Sequence, residues 1–175
     1  LAGGKNSRYQ GKNKAFLEIK QESFYEKTKS TLQEVFSNVI VITNTADTFP
    51  KDGIAKYEDI FKDVGPLGGI HSALMHSKNF EAIFVVAVDM PYFSMNLIQK
   101  MVEQYRIRKP EILIPEINNN IEPLSAVYSL KIFEKLDLHL SDGKSLAIRN
   151  FIKQLDTELF FIESSLENKK AFFNI

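Results

Sequence analysis

The chain contains no cysteine, only three histidines, and no excess of charge of either sign. Without cysteine there is no disulfide framework, no thiolate nucleophile and no cysteine-ligated metal. The histidines, His71, His76 and His139, share no zinc-type spacing. Lysine plus arginine and aspartate plus glutamate number 22 each, so the molecule as a whole has no field to draw in nucleic acid or an anionic membrane. Any anionic ligand must be held by local charge. Long hydrophobic runs are also missing: the longest, Ala82 to Val88, is far too short to span a bilayer, and nothing resembles a signal peptide. These absences lead us to expect a cytoplasmic protein with neither nucleic-acid nor membrane partners. With 175 residues, 44% of them hydrophobic and 25% charged, one domain over residues 1–175 with a substantial core is expected.

What the chain does have is concentrated at its start, in Leu1-Ala-Gly-Gly-Lys-Asn-Ser-Arg-Tyr-Gln-Gly-Lys-Asn-Lys-Ala-Phe-Leu17. Three glycines, Arg8 and three lysines precede the first carboxylate, Glu18, and Ala15-Phe16-Leu17 can anchor in a core. Glycine lets backbone N–H groups converge on phosphate oxygens, while Arg8, Lys12 and Lys14 bring mobile positive charge. The expected ligand is a polyphosphate; a glycine-rich turn with solvated lysines is the structural alternative. A P-loop is excluded, because six residues separate Gly4 from Gly11-Lys12 and Asn13 stands where the magnesium-binding hydroxyl belongs. A dinucleotide-binding fingerprint fails on its glycine spacing. Such a loop leaves the end of a β-strand, so a strand before Leu1 is expected in the natural protein.

Farther along, strands and helices are expected to alternate. Ser23 caps a helix to about Phe36, and Val39 to Thr43 is a β-branched run suited to a buried strand. Ile54 to Tyr57 is a short strand leading to Glu58-Asp59, where Asp59 is either a cap or a ligand at a strand end. Gly65-Pro-Leu-Gly-Gly69 forms a close turn, and residues 71–76 follow as a helix whose N–H groups face a ligand. His71 is a packing residue in this reading. Ala82 to Val88 is a central strand ending in Asp89-Met-Pro91, where a carboxylate can hold magnesium or cap the next turn. Ser94 caps the next helix, Glu111 to Pro115 is a strand, and Asn118 to Asn120 is a turn. Helices over 130–139 and 145–155 and a strand over 159–162 complete the series. Lys144 and Arg149 read here as solvated charges.

Leu1-Ala-Gly-Gly, Arg8 and Lys14 with Phe16-Leu17, followed by Gly65-Pro-Leu-Gly-Gly-Ile and Asp89-Met-Pro, resemble the motifs of the molybdenum cofactor guanylyltransferase (MobA-like) nucleotidyltransferases. Tyr9 and Asn13 stand where that family has methionine and aspartate. The resemblance implies a Rossmann-like three-layer α/β/α nucleotide-diphospho-sugar transferase fold, with a mostly parallel sheet and a small antiparallel part around residues 112–128. It implies GTP and molybdopterin as substrates, and accessory and recipient molybdoenzyme-maturation proteins as partners. Leu1, Ala2, Gly3, Gly4, Lys14, Asp59, Gly65, Pro66, Leu67, Gly68 and Asp89 then bind nucleotide. Arg8, Lys14 and Asp89 are catalytic, Asp89 carries Mg2+, and Asn174 neighbours the nucleotide or metal. Glu122-Pro-Leu-Ser-Ala-Val-Tyr128 resembles the acceptor-side segment, and for a transferase of this kind the resemblance implies that Lys144 and Arg149 face the acceptor. Two further readings share these residues: a cytidylyltransferase or sugar-phosphate nucleotidyltransferase, and a non-catalytic nucleotide- or molybdopterin-binding protein.

Overall fold

The computed structural model describes residues 1–3, 14–19, 21–90, 92–143 and 146–163. After a 3-10 turn over Lys14–Phe16, the chain forms a small hairpin of β1 (Glu18–Ile19) and β2 (Glu22–Ser23). Helix α1 (Phe24–Gln33) begins at Ser23, whose hydroxyl accepts from the Glu26 N–H while the Glu26 carboxylate accepts from the Ser23 N–H. This capping box satisfies two otherwise unpaired donors and fixes where the helix starts.

Strand β3 (Ile40–Ile42) pairs in parallel with β4 (Ala55–Tyr57). Leu1 and Ala2 join this pair to the larger sheet. The Leu1 nitrogen donates to the Val86 carbonyl at 2.5 Å and the Val88 N–H to the Leu1 carbonyl at 2.9 Å, in the parallel pattern. On the other side the Ala2 N–H donates to Ile42 at 2.9 Å. Val86 ends β5 (Ala82–Val86), which helix α2 (Pro66–Met75) precedes and helix α3 (Met95–Arg108) follows. Lys109, left-handed at φ 49°, stops α3 directly before Pro110.

In the larger sheet β5 pairs with β8 (Ser125–Ser129), β8 with β6 (Ile112–Ile117), and β6 with both β7 (Asn120–Ile121) and β9 (Thr157–Phe161). β8 runs antiparallel to β5 and β6, whereas β9 is parallel to β6. The sheet is therefore mixed, and its antiparallel part falls near residues 112–128 as the resemblance implied. A two-residue turn makes that reversal: Asn118 and Asn119 have φ of 52° and 61°, the conformation that matches strand twist in a tight hairpin.

Period-2 alternation divides β6 between two faces. Ile112 and Ile114 join Ala126 and Tyr128 beneath α2, α4 (Phe133–Ser141) and α5 (Ile148–Ile152). Leu113, Ile117 and Val127 pack against α3 and the end of α1 on the other face. These three layers place the ends of β3, β4, β5 and β6 along one rim. Among the described residues no helix is long and apolar enough to cross a membrane.

Two local expectations change. Gly68 and Gly69 lie inside α2 rather than in a turn before it; the turn is made by Gly65 alone, at φ 67° and ψ −150°, with Pro66 opening the helix. The helix expected over 145–155 is confined to Ile148–Ile152, with residues 144–145 outside the described set.

Candidate functional site

Every strand direction set by β3, β4, β5 and β6 delivers its carboxyl end to the same rim, where ligands collect in open α/β folds. Leu1, Ala2 and Gly3 emerge there between β3 and β5. Gly69 lacks a side chain where a Cβ would stand 3.3 Å from the Leu1 methyls, so the first residue lies directly against α2. At Gly68 a Cβ would meet the Phe61 carbonyl at 2.7 Å and a Val64 methyl at 2.8 Å. Glycine is required here for close packing of the helix on its preceding loop.

The Asp59 carboxylate occupies the corner between these backbones. Cβ atoms at Gly3 and Gly69 would lie 3.9 and 3.6 Å from its two oxygens. Asn44, just beyond β3, orients it: Asn44 Nδ2 donates to Asp59 Oδ2 at 2.7 Å, and the Asp59 N–H donates to Asn44 Oδ1 at 3.1 Å. Lys62 Nζ also donates to Asn44 Oδ1, at 3.0 Å. Ser72 on α2 accepts from the Ile60 N–H at 2.9 Å, tying the same loop to the helix. In the sequence Asn44 carries only a weak signal, that of a polar residue directly after the buried run ending in Thr43.

Asp89 follows β5 between two fixed neighbours, Val88 bonded to Leu1 and Met90 only 1% exposed. Its Oδ2 lies 3.3 Å from Lys14 Nζ. Lys14 is positioned by the turn it opens, whose Ala15 is fully buried and whose Phe16 ring packs 5.0 Å from Phe49. A cation from the first loop and the carboxylate after β5 thus meet at one point. Gly4, Arg8 and Asn174, also assigned to this site by resemblance, lie outside the described residues, as do Lys12, Asn13 and Pro91.

No cluster of three metal-ligating side chains occurs among the described residues. The donor set still suits magnesium, which takes one or two carboxylates together with substrate phosphates and water. Asp89 offers such an oxygen, with 23% of its side chain exposed.

On the far side of Asp89 the Leu124 carbonyl accepts from the Ala87 N–H at 2.9 Å, so the segment before β8 adjoins the same rim. Glu122 in this segment is half-buried, and burial pushes its carboxyl above the ordinary value against a smaller pull from Arg149. Arg149 Nη2 donates to the Ile121 carbonyl at 3.3 Å. The packing expectation for His71 agrees with its surroundings: it is 2% exposed, stacked on Phe133, edge-on to Phe61, with Nε2 2.9 Å from Asp137.

A family model described as the MobA-like NTP transferase domain matches residues 1–158. A Clostridium perfringens protein named "Probable molybdenum cofactor guanylyltransferase" is 34% identical over 182 residues, covering 100% of this chain and 88% of its own. The solved structure of molybdopterin-guanine dinucleotide biosynthesis protein A from Archaeoglobus fulgidus is similar at a TM-score of 0.73 and 21% identity, covering 96% of this chain and 86% of the other. A Mycobacterium tuberculosis protein solved in complex with manganese superposes at a TM-score of 0.69 and 13% identity, covering 87% and 83%. The family match runs through the rim that carries Leu1, Asp59, α2 and Asp89, and the chain belongs to the MobA-like NTP transferase family, as a nucleotidyltransferase.

Proposed function

We propose that this chain, acting in the cytoplasm as one domain, transfers GMP from GTP to the terminal phosphate of molybdopterin and releases pyrophosphate. The observation that carries the reading is the meeting of Lys14 and Asp89 beside the Leu1-Ala2-Gly3 backbone, in a chain 34% identical to a protein named for that activity. A phosphate oxygen of the acceptor forms a bond to the α-phosphorus as the bond from that phosphorus to the bridging oxygen breaks. The bonding electrons leave with pyrophosphate. A terminal phosphate is already an anionic nucleophile, so no protein base is required, and the barrier is one of alignment and charge.

The backbone from Leu1 to Gly3 and the first turn of α2 bind the nucleotide, and Asp59 accepts hydrogen bonds from it. Lys14, with Arg8 from the same loop, offsets the charge that develops on the leaving pyrophosphate. Asp89 holds Mg2+, which when bound supplies charge neutralisation at the α-phosphate. Manganese bound to a protein of the same fold is in keeping with a divalent ion here. The test is magnesium-dependent pyrophosphate release with molybdopterin as acceptor, comparing GTP, CTP, ATP and UTP. Release confined to GTP supports the reading. Release with CTP reassigns the base and keeps the chemistry; binding without release overturns it in favour of a non-catalytic protein.

A further inference from the structure

We propose that Glu122 is a specificity-determining residue on the acceptor side of the site, its carboxylate accepting from the paired 2-amino and ring N–H donors of a 2-amino-4-oxopteridine. The assignment rests on the molybdopterin reading above and deepens it.

Strand order separates the two substrates. The groups assigned to the nucleotide, Leu1 to Gly3, Asp59 and the start of α2, lie on the β3 and β4 side of Asp89, together with Asn44, which orients Asp59. On the opposite side β5 is paired with β8, and β8 begins just after Glu122. A nucleotide seated on the first flank with its α-phosphate at Asp89 leaves the acceptor to the second. Glu122 stands at that flank on the same rim, since Leu124 bonds to Ala87 while Glu122 bonds to Pro115 near the end of β6.

The state of the carboxylate points the same way. It is half-buried, burial pushes its proton affinity up, and among the described residues no hydrogen-bond donor meets it. Arg149 acts on it only as a neighbouring charge while its Nη2 bonds the Ile121 carbonyl. Partial burial of an unpaired carboxylate is unfavourable, and beside a phosphate-transfer site it repels the substrate as well. Both costs are relieved if it faces a donor-rich part of that substrate. The aminopyrimidinone edge of a pterin carries two parallel N–H groups, which match two carboxylate oxygens as a guanidinium does. Sugar and polyol phosphates present hydroxyls only.

The backbone at Glu122 is also fixed before any ligand arrives. Its N–H donates to Pro115 and its carbonyl accepts from Ser125, each at 3.1 Å. The Tyr128 hydroxyl, on a side chain 1% exposed, donates to the adjacent Pro123 carbonyl at 2.8 Å. Such anchoring lets a carboxylate discriminate instead of following the ligand.

The experiment compares the full chain with Glu122→Gln, measuring GMP transfer to molybdopterin, GTP affinity by calorimetry, and binding of pterin-6-carboxylate by fluorescence. Glu122→Gln turns one acceptor into a donor facing a donor. We expect KM for molybdopterin to rise roughly 10- to 100-fold, with KM and Kd for GTP within about twofold. Glu122→Asp, which keeps the carboxylate, recovers part of the loss. An unchanged KM for molybdopterin, or an equal rise for GTP, overturns the assignment and leaves the guanylyltransferase reading intact. A parent chain that binds pterin-6-carboxylate and loses it in Glu122→Gln, yet transfers no GMP, keeps the assignment and removes the activity. Absence of both transfer and pterin binding overturns both.

Discussion

Lys14 Nζ and Asp89 Oδ2 stand 3.3 Å apart although 75 positions separate them in the chain. Both side chains remain partly exposed, at 29% and 23%, so the pair contributes little to stability and is open to a ligand. Lys14→Ala is expected to lower kcat roughly 100-fold, about 3 kcal/mol of transition-state stabilisation. Asp89→Asn should do comparable harm and shift the magnesium concentration needed for half-maximal rate upward. Initial rates across a magnesium titration test both, and full activity in Lys14→Ala sinks the assignment of this pair.

Asn44 and Asp59 exchange two hydrogen bonds, so removing the amide frees the carboxylate to rotate. Asn44→Ala is expected to raise KM for the nucleotide roughly tenfold, with kcat much less affected. Steady-state kinetics with varied nucleotide decide this; an unchanged KM means that Asp59 needs no such orientation.

Gly68→Ala forces a methyl to within 2.7 Å of the Phe61 carbonyl, a backbone atom without freedom to withdraw. Overpacking of this kind costs roughly 1–3 kcal/mol. Gly69→Ala meets the end of the Leu1 side chain at 3.3 Å and an Asp59 oxygen at 3.6 Å, with no backbone atom in the way, and should be milder. Calorimetric Tm values for the two variants should fall in that order, and equal values would remove the packing argument.

Asp52 accepts from the Tyr25 hydroxyl at 2.6 Å, Lys56 at 2.9 Å and Lys29 at 3.0 Å, clasping α1 to β4. Burial acts to raise its pKa, but these hydrogen bonds outweigh it and hold the carboxyl well below the usual range. A depressed pKa means that the native state favours the ionised form. Its stabilisation is complete above the unfolded value of about 3.9 and is lost as pH falls below that towards the folded value. Asp52→Ala should therefore lose roughly 2 kcal/mol at pH 7. The gap to the parent should narrow progressively in urea melts taken below about pH 4, and a gap that widens on acidification contradicts the assignment.

Much of the fold was legible because its cues are local. Ser23 with Glu26, Ser94 before Leu97, and the Asn118-Asn119 turn each carry their own hydrogen-bonding chemistry, and each does what its residue types favour. Gly68 and Gly69 read locally as a turn because glycine serves both chain reversal and close packing. Their true role depends on Phe61, Val64 and Leu1, which no local pattern identifies. Asn44 is not legible locally because its partner lies 15 residues away across a parallel crossover.

By itself the sequence determined the kind of chemistry: glycine backbone and lysine charge in the first loop, a carboxylate after the most strand-like run, and no thiol or histidine cage to suggest another. Local propensity and residue chemistry are sufficient for that. Tertiary structure decided which groups act together. It seated Leu1 between Ile42 and Val86 through Ala2, brought Lys14 to Asp89, and set Glu122 on the opposite side of β5 from Asp59. Those relations follow from strand order, because pairing is selected by burial of whole faces over long sequence separations, and short windows of sequence do not contain it.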